Sequence, residues 1–205
     1  MKRLFTVILS VLIMIVLFGC SPRLGENERI NKEGVYPYPL SESDTYLLES
    51  LDLEKNVNRI SFKAPQAAKS LKVQSYVLDE NGKWDTISEL HILSGNNDNS
   101  QSELEGTFSM LLKDDYSIDM HITAKGRFSQ KGSPLDIESE FLASSRGFLT
   151  EYEEIELNKE IPVTIMIYDN GSINPYSMDD FFTPSTFEGM DLVQAVTLTF
   201  TGKVD

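Results

Sequence analysis

The chain predicts an all-β fold, a single antiparallel β-sandwich of immunoglobulin-like or jelly-roll topology, and three observations carry that prediction. Apolar residues recur with period two over several segments, turn-forming residues fall between those segments, and no stretch carries a comparable apolar stripe at helical spacing. Seven to nine short strands separated by turn signals, in a stretch the length of one domain, suit a sandwich.

The elements follow in order. Asp44 to Leu53 reads as a strand or a short helix. Ile60 with Phe62, then Leu71, Val73 and Val77, show the alternation of half-buried strands. Asp79-Glu80-Asn81-Gly82 then predicts a hairpin, because Asn and Gly both tolerate positive φ, and Trp84 opens the returning strand. Lys113-Asp114-Asp115 links the run from Leu104 to Leu112 with the run from Tyr116 to Phe128. In the second run Ile118, Met120, Ile122, Ala124, Gly126 and Phe128 share one face, against Asp119, His121, Thr123, Lys125 and Arg127. Pro134 and Gly147 punctuate further loops, and the runs Phe148 to Leu157 and Ile161 to Tyr168 bracket Asn158-Lys159-Glu160. Val163, Ile165 and Ile167 alternate in the latter run, Ser177 to Phe182 forms a helical turn, and Val196, Leu198, Phe200, Gly202 and Val204 close the series.

Ahead of this domain lies a different composition. Lys2 and Arg3 precede an apolar run from Leu4 to Phe18, broken by Thr6 and Ser10, which ends in Leu17-Phe18-Gly19-Cys20. Fifteen residues are long for a signal peptide's apolar region and short of the roughly 20 that span a bilayer, which favours cleavage. Cys20 is the single cysteine, so no intramolecular disulfide can form. The segment resembles the lipobox of bacterial lipoproteins. That resemblance implies a diacylglycerol on the Cys20 thiol, cleavage between Gly19 and Cys20, and a lipid-anchored domain on the extracytoplasmic face of the cell membrane. Ser21 after the cysteine would not mark inner-membrane retention in a cell with two membranes. Two acyl chains, at about 0.8 kcal/mol per buried CH₂, hold stably where one does not.

Three segments result: a signal peptide over 1–19, a lipidated N-terminus and flexible tether over 20–39, and the β-sandwich over 40–205. The tether reading rests on Pro22, Gly25, Asn27, Asn31, Gly34, Pro37 and Pro39 with little apolar periodicity. As a flexible coil it spans roughly 25 Å, enough to lift a small domain off the head groups.

Charge narrows the partners. Without Lys2 and Arg3 the chain carries 16 basic against 32 acidic residues, a formal charge of −16. Such a polyanion gains no counterion-release energy from phosphates, so nucleic acid is excluded as a partner. It is also repelled from anionic lipid head groups within a Debye length, about 8 Å in physiological salt.

Chemistry is sparse. His91 and His121 stand at outward strand positions near Glu89 and Asp119, and a zinc site would need both brought together with carboxylates. Paired carboxylates, among them Asp114 with Asp115, Glu151 with Glu153, Glu154 and Glu156, and Asp179 with Asp180, are what a glycosidase would use. In so acidic a chain they read first as solvated turns and edges. Asp169, Asn170, Asp179 and Asp180 offer oxygen ligands for a weak calcium site around a glycine turn, although their spacing departs from the EF-hand. Tyr168, Asp169, Tyr176, Phe181 and Phe182 cluster in a late loop region and form the candidate ligand-binding surface, with Phe187 close in sequence. Trp84 reads as core or as cover for a sheet edge. No Gly-x-Ser-x-Gly elbow and no phosphate-cradling glycine loop is present.

The function expected is a non-enzymatic binding module that engages an envelope protein, a wall polymer or a small ligand. The alternative is an envelope hydrolase using carboxylates or a histidine-metal site. Lipid attachment is directly testable: Cys20→Ala releases the protein from membranes or leaves an uncleaved precursor, and unchanged membrane fractionation at the mature size refutes it.

Overall fold

The structure, a computed structural model, describes residues 32–94, 104–137 and 140–203. The signal peptide, Cys20, the tether up to residue 31 and Val204 lie outside the described residues. Ten strands form two five-stranded antiparallel sheets packed face to face, a β-sandwich. The first sheet contains β1 (Gly34–Pro37), β2 (Val57–Lys63), β5 (Glu105–Leu112), β6 (Ile118–Thr123) and β7 (Arg127–Gln130), in the order β1-β2-β5-β6-β7. The second contains β3 (Ser70–Leu78), β4 (Trp84–Leu93), β8 (Ala143–Phe148), β9 (Glu160–Asp169) and β10 (Leu192–Thr201), in the order β4-β3-β10-β9-β8. The last three strands form a meander that lays β10 against β3.

The inner faces meet in one core. Ile60 and Phe62 of β2, Phe108 and Met110 of β5, and Ile118, Met120 and Ile122 of β6 oppose Leu71 and Val73 of β3 with Val196, Leu198 and Phe200 of β10. Phe62 and Phe200 meet across the sheets with ring centroids 5.7 Å apart. Burying each such side chain stabilises by roughly 1.5–3 kcal/mol.

Several sequence expectations change in detail. The tether does not extend to residue 39: Gly34–Pro37 forms β1, and Val35 is fully buried in the core. Val35 and Glu153 exchange both backbone hydrogen bonds at 2.8 Å, which occupies the outer edge of β1. A strand with Val35 and Tyr36 set among Gly and Pro carries too little pattern to register. Gly34 is required, since a Cβ there would meet the Tyr152 ring at 2.1 Å.

The Asn81-Gly82 turn is a five-residue loop in which Gly82 alone takes positive φ. Asp79 directs it, its Oδ1 accepting from the amides of Asn81 and Lys83 at 2.9 and 2.7 Å. Lys113 to Ser117 repeats this design, with Tyr116 in the left-handed position and Asp115 accepting from the Ser117 amide. The run from Tyr116 to Phe128 is two strands: the chain reverses over Ala124 to Gly126, so Phe128 lies opposite Ile122. Alternation alone cannot distinguish a long strand from a hairpin whose turn preserves parity. Phe148 to Leu157 is mainly a crossing segment, pinned by the buried Leu149 and Ile155, while its carboxylates face water.

The largest departure is in β9. Val163, Ile165 and Ile167 do not share a face. Thr164 pairs with Val196 and Pro162 with Thr197, leaving Val163 as an inserted residue. Ile161, Val163, Met166 and Tyr168 therefore enter the main core, while Ile165 and Ile167 face the opposite side. Asn58 of β2 reaches across and donates to the Val163 carbonyl at 3.0 Å and to Thr164 Oγ1 at 2.9 Å. Pro162, without an N–H, occupies the stretch of β9 beyond the end of its pairing with β8.

Asn58→Ala leaves these inward polar atoms of the bulge short of a donor. It should cost about 1–3 kcal/mol, read as a lower urea midpoint with an unchanged slope, whereas substitution of the solvent-facing Lys125 should leave the midpoint in place.

Candidate binding site

Ile165 and Ile167 on the back of the second sheet join Tyr76, Val193 and Ala195 in a second apolar cluster. The long connection from β9 to β10 lies over it and buries Phe181 and Phe187. Residues Met178–Phe182 and Pro184–Phe187 are short 3-10 turns, as the expected helical turn at Ser177 to Phe182 anticipates. Trp84 stacks on Phe181 at 5.0 Å and donates its indole N–H to the Phe181 carbonyl at 2.8 Å. Asp191 ties the two ends of the connection, its Oδ2 accepting from the amide and side chain of Asn170 at 2.8 and 2.9 Å.

This arrangement divides the five residues expected to bind a ligand, keeping Tyr176, Phe181 and Phe182 on one side of the sheet and sending Tyr168 to the other. Tyr168 is buried in the main core, its ring 5.0 Å from Tyr116. Phe181 is buried on the other side of the same sheet, Tyr176 is half-buried with its hydroxyl beside Ser145, and Asp169 closes a turn onto the Gly171 amide at 2.5 Å. Phe182 alone stands well exposed. Burial pushes the Tyr168 and Tyr176 hydroxyls above the ordinary tyrosine range. The aromatic cluster legible in the sequence is mostly a second core, and its members do not share a surface.

The oxygen ligands proposed for calcium are likewise spent locally. Asp180 accepts from the Ser177 amide at 2.7 Å and from the Thr186 hydroxyl at 3.1 Å, Asp169 is committed to its turn, and Asp179 is exposed. Among the described residues no three His, Cys, Asp or Glu side chains converge. His91 lies on the outer face of the second sheet and His121 on that of the first, where its Nδ1 meets Ser129 Oγ at 2.9 Å. Two sheets stand between the histidines, so the histidine-metal arrangement does not assemble.

Two clefts remain. One, about 390 Å³, runs between the Asp79 hairpin and the end of the β9–β10 connection. Of its carboxylates, Asp79 and Asp191 are engaged in holding those loops, while Glu80 and Glu188 are exposed. The other, about 450 Å³, lies beside α1 (Glu42–Ser50), with Pro37, Tyr38, Leu48, Val57 and Phe148 among its walls. Ser41 starts this helix through a reciprocal cap: its hydroxyl accepts from the Asp44 amide and Asp44 accepts from the Ser41 amide. The hydrogen bonds from Ser41 hold the Asp44 carboxyl below the usual range.

No residue of α1 is buried. Tyr46, Leu47 and Leu51 are 72%, 56% and 57% exposed, and Leu40 before the helix is 43% exposed. The Ser41 cap and the i, i+4 pair Leu47–Leu51 were the available sequence signals for the helix, but neither says which way the leucines face. The site the sequence did not single out is thus an apolar helix presented to solvent beside a cleft. No known family model, curated protein or solved structure matches the chain.

The capping carboxylates set an acid dependence. Hydrogen bonds from the Ser177 backbone and side chain hold Asp180 low, as those from Ser117 hold Asp115. A lowered folded-state pKa contributes stability that is present above the unfolded value of about 4 and is lost as pH falls through the folded value. Asp180→Asn should therefore be less stable than wild type at pH 7 by urea denaturation, with the gap closing below about pH 4. A gap that widened on acidification would contradict this account.

Proposed function

We propose that this protein is a lipid-anchored, extracytoplasmic β-sandwich that serves as a binding module at the cell envelope, with α1 and its adjoining cleft as the contact surface. The observation that carries the reading is the exposure of Leu40, Tyr46, Leu47 and Leu51 in one segment, with Leu40 and Leu47 lining the cleft. A small domain that buries most of its phenylalanines in two cores has no folding reason to leave four large apolar side chains in one segment facing water. Aromatic and leucine side chains beside a concavity of this volume are what a protein surface or an apolar ligand group uses as anchors. The N-terminal signal supports the address: a cysteine-terminated apolar run at one end, an acidic domain at the other, and membrane attachment through Cys20.

The test removes the surface and keeps the fold. Leu47→Ser with Leu51→Ser changes solvent-facing positions and should shift the melting temperature little. Cross-linking of the full chain in detergent-solubilised envelope should give adducts that the double variant loses. Identical adduct patterns from both proteins would remove α1 as the contact surface.

A further inference from the structure

We infer that the partner bound at α1 is a polypeptide segment that combines apolar anchor residues with flanking lysine or arginine. The inference rests on the binding reading above and adds the partner's chemistry.

The charge around the cleft is predominantly acidic: Asp44 and Glu54 line it with one cation, Arg59, and Lys55 follows in the chain. Glu42, Asp44, Glu49, Asp52 and Glu54 lie within residues 39–54, a stretch without a single lysine, arginine or histidine. Asp44 is committed to the helix cap. Among the described residues the side chains of Glu42, Glu49, Asp52 and Glu54 have no ion-pair or hydrogen-bond partner, and the two ion pairs there, Lys113–Asp119 and Lys159–Glu156, involve none of them. The cations nearest the cleft are occupied. Arg59 sits 3.7 Å over the Tyr38 ring, and Arg146 donates to Asn56 Oδ1 at 2.5 Å.

The helix adds its own field. Its last turn contains no basic residue, so the negative end of the macrodipole at Ser50 and Leu51 is uncompensated and sits among Glu49, Asp52 and Glu54. A cation placed there gains from the dipole and from three carboxylates at once. Apolar anchors with cationic flanks fit this surface by the helix-in-groove mode, in which leucines enter the cleft and charges meet the rim. Other occupants fit poorly. A second copy would set five carboxylates against five, and an anionic bilayer would meet the same repulsion. A sugar polymer would find one exposed ring, Tyr46, among leucines that offer neither a hydrogen-bond partner nor a stacking face.

The experiment uses the full chain in phosphatidylcholine nanodiscs and a photo-cross-linking peptide of paired leucines flanked by lysines, with a glutamate-flanked peptide as its counterpart. Cross-linked residues are located by mass spectrometry, which separates labelling of the domain from peptide bound to lipid. The lysine peptide should label residues 40–54, and the glutamate peptide should not. Glu49→Gln with Asp52→Asn and Glu54→Gln should reduce labelling roughly fivefold, and Leu47→Ser with Leu51→Ser by about tenfold or more. Both variants are checked for an unchanged melting temperature. Equal labelling by the two peptides, or labelling indifferent to carboxylate neutralisation, overturns the basic-partner inference while leaving an apolar binding surface. Labelling unaffected by the leucine changes overturns the binding reading as well. Concentration-dependent dimerisation of the full chain that the leucine changes abolish would assign the surface to a second copy and also overturn the inference.

Discussion

The bulge at Val163–Thr164, satisfied by Asn58, is the constraint on which the rest of the structure depends. A strand without it presents alternate residues to opposite faces, and Ile165 and Ile167 would then share a face with Val163. The inserted residue shifts the parity, so β9 contributes Ile161 and Val163 to the main core and Ile165 and Ile167 to the cluster behind it. The shift points polar groups inward, and an unsatisfied buried carbonyl costs as much as a well-packed methyl group or two. Asn58, from the opposite sheet, answers that cost and ties the two sheets together at the same point.

The consequences differ for the two sheets. The second has both faces of β9 and β10 covered, by the main core on one side and by the β9–β10 connection on the other, which is why both strands read as nearly continuous apolar runs. Two of its buried polar side chains meet at Glu160: Thr197 Oγ1 bonds to that carboxylate at 3.3 Å, and the Tyr76 hydroxyl donates to it. That hydroxyl is held well above its ordinary range by burial and by the Glu160 contact. The first sheet is covered on one face only. Its strands β2, β5 and β6 alternate cleanly between core and solvent, and α1, joined to its edge strand β1, buries none of its residues.

The contact surface we propose lies on the first sheet's side, and that asymmetry is its structural basis. The loop aromatics of the other side are needed for folding: Trp84, Phe181 and Phe187 form one packed group whose removal would expose the back of β9 and β10. The leucines of α1 support no comparable packing, so they are available to a partner, and the unpaired carboxylates around them give that availability a sign.

The sequence by itself determined the class of fold, the hairpins at Asp79 and Lys113 and the polar outward positions of His91 and His121, because period-two alternation and turn residues are local and survive any arrangement of strands. The Leu17-to-Cys20 segment lies outside the described residues, and its resemblance to a lipobox rests on the sequence alone. Only the tertiary structure decided the parity of β9, since a bulge is an insertion relative to a neighbouring strand and leaves no mark on the strand's own composition. It decided that Gly34–Pro37 is a strand, because that assignment rests on pairing with β2 and Glu153. It also decided that Phe181 is core while Leu47 is surface: both are apolar residues near polar ones, and burial depends on which distant segment arrives to cover them.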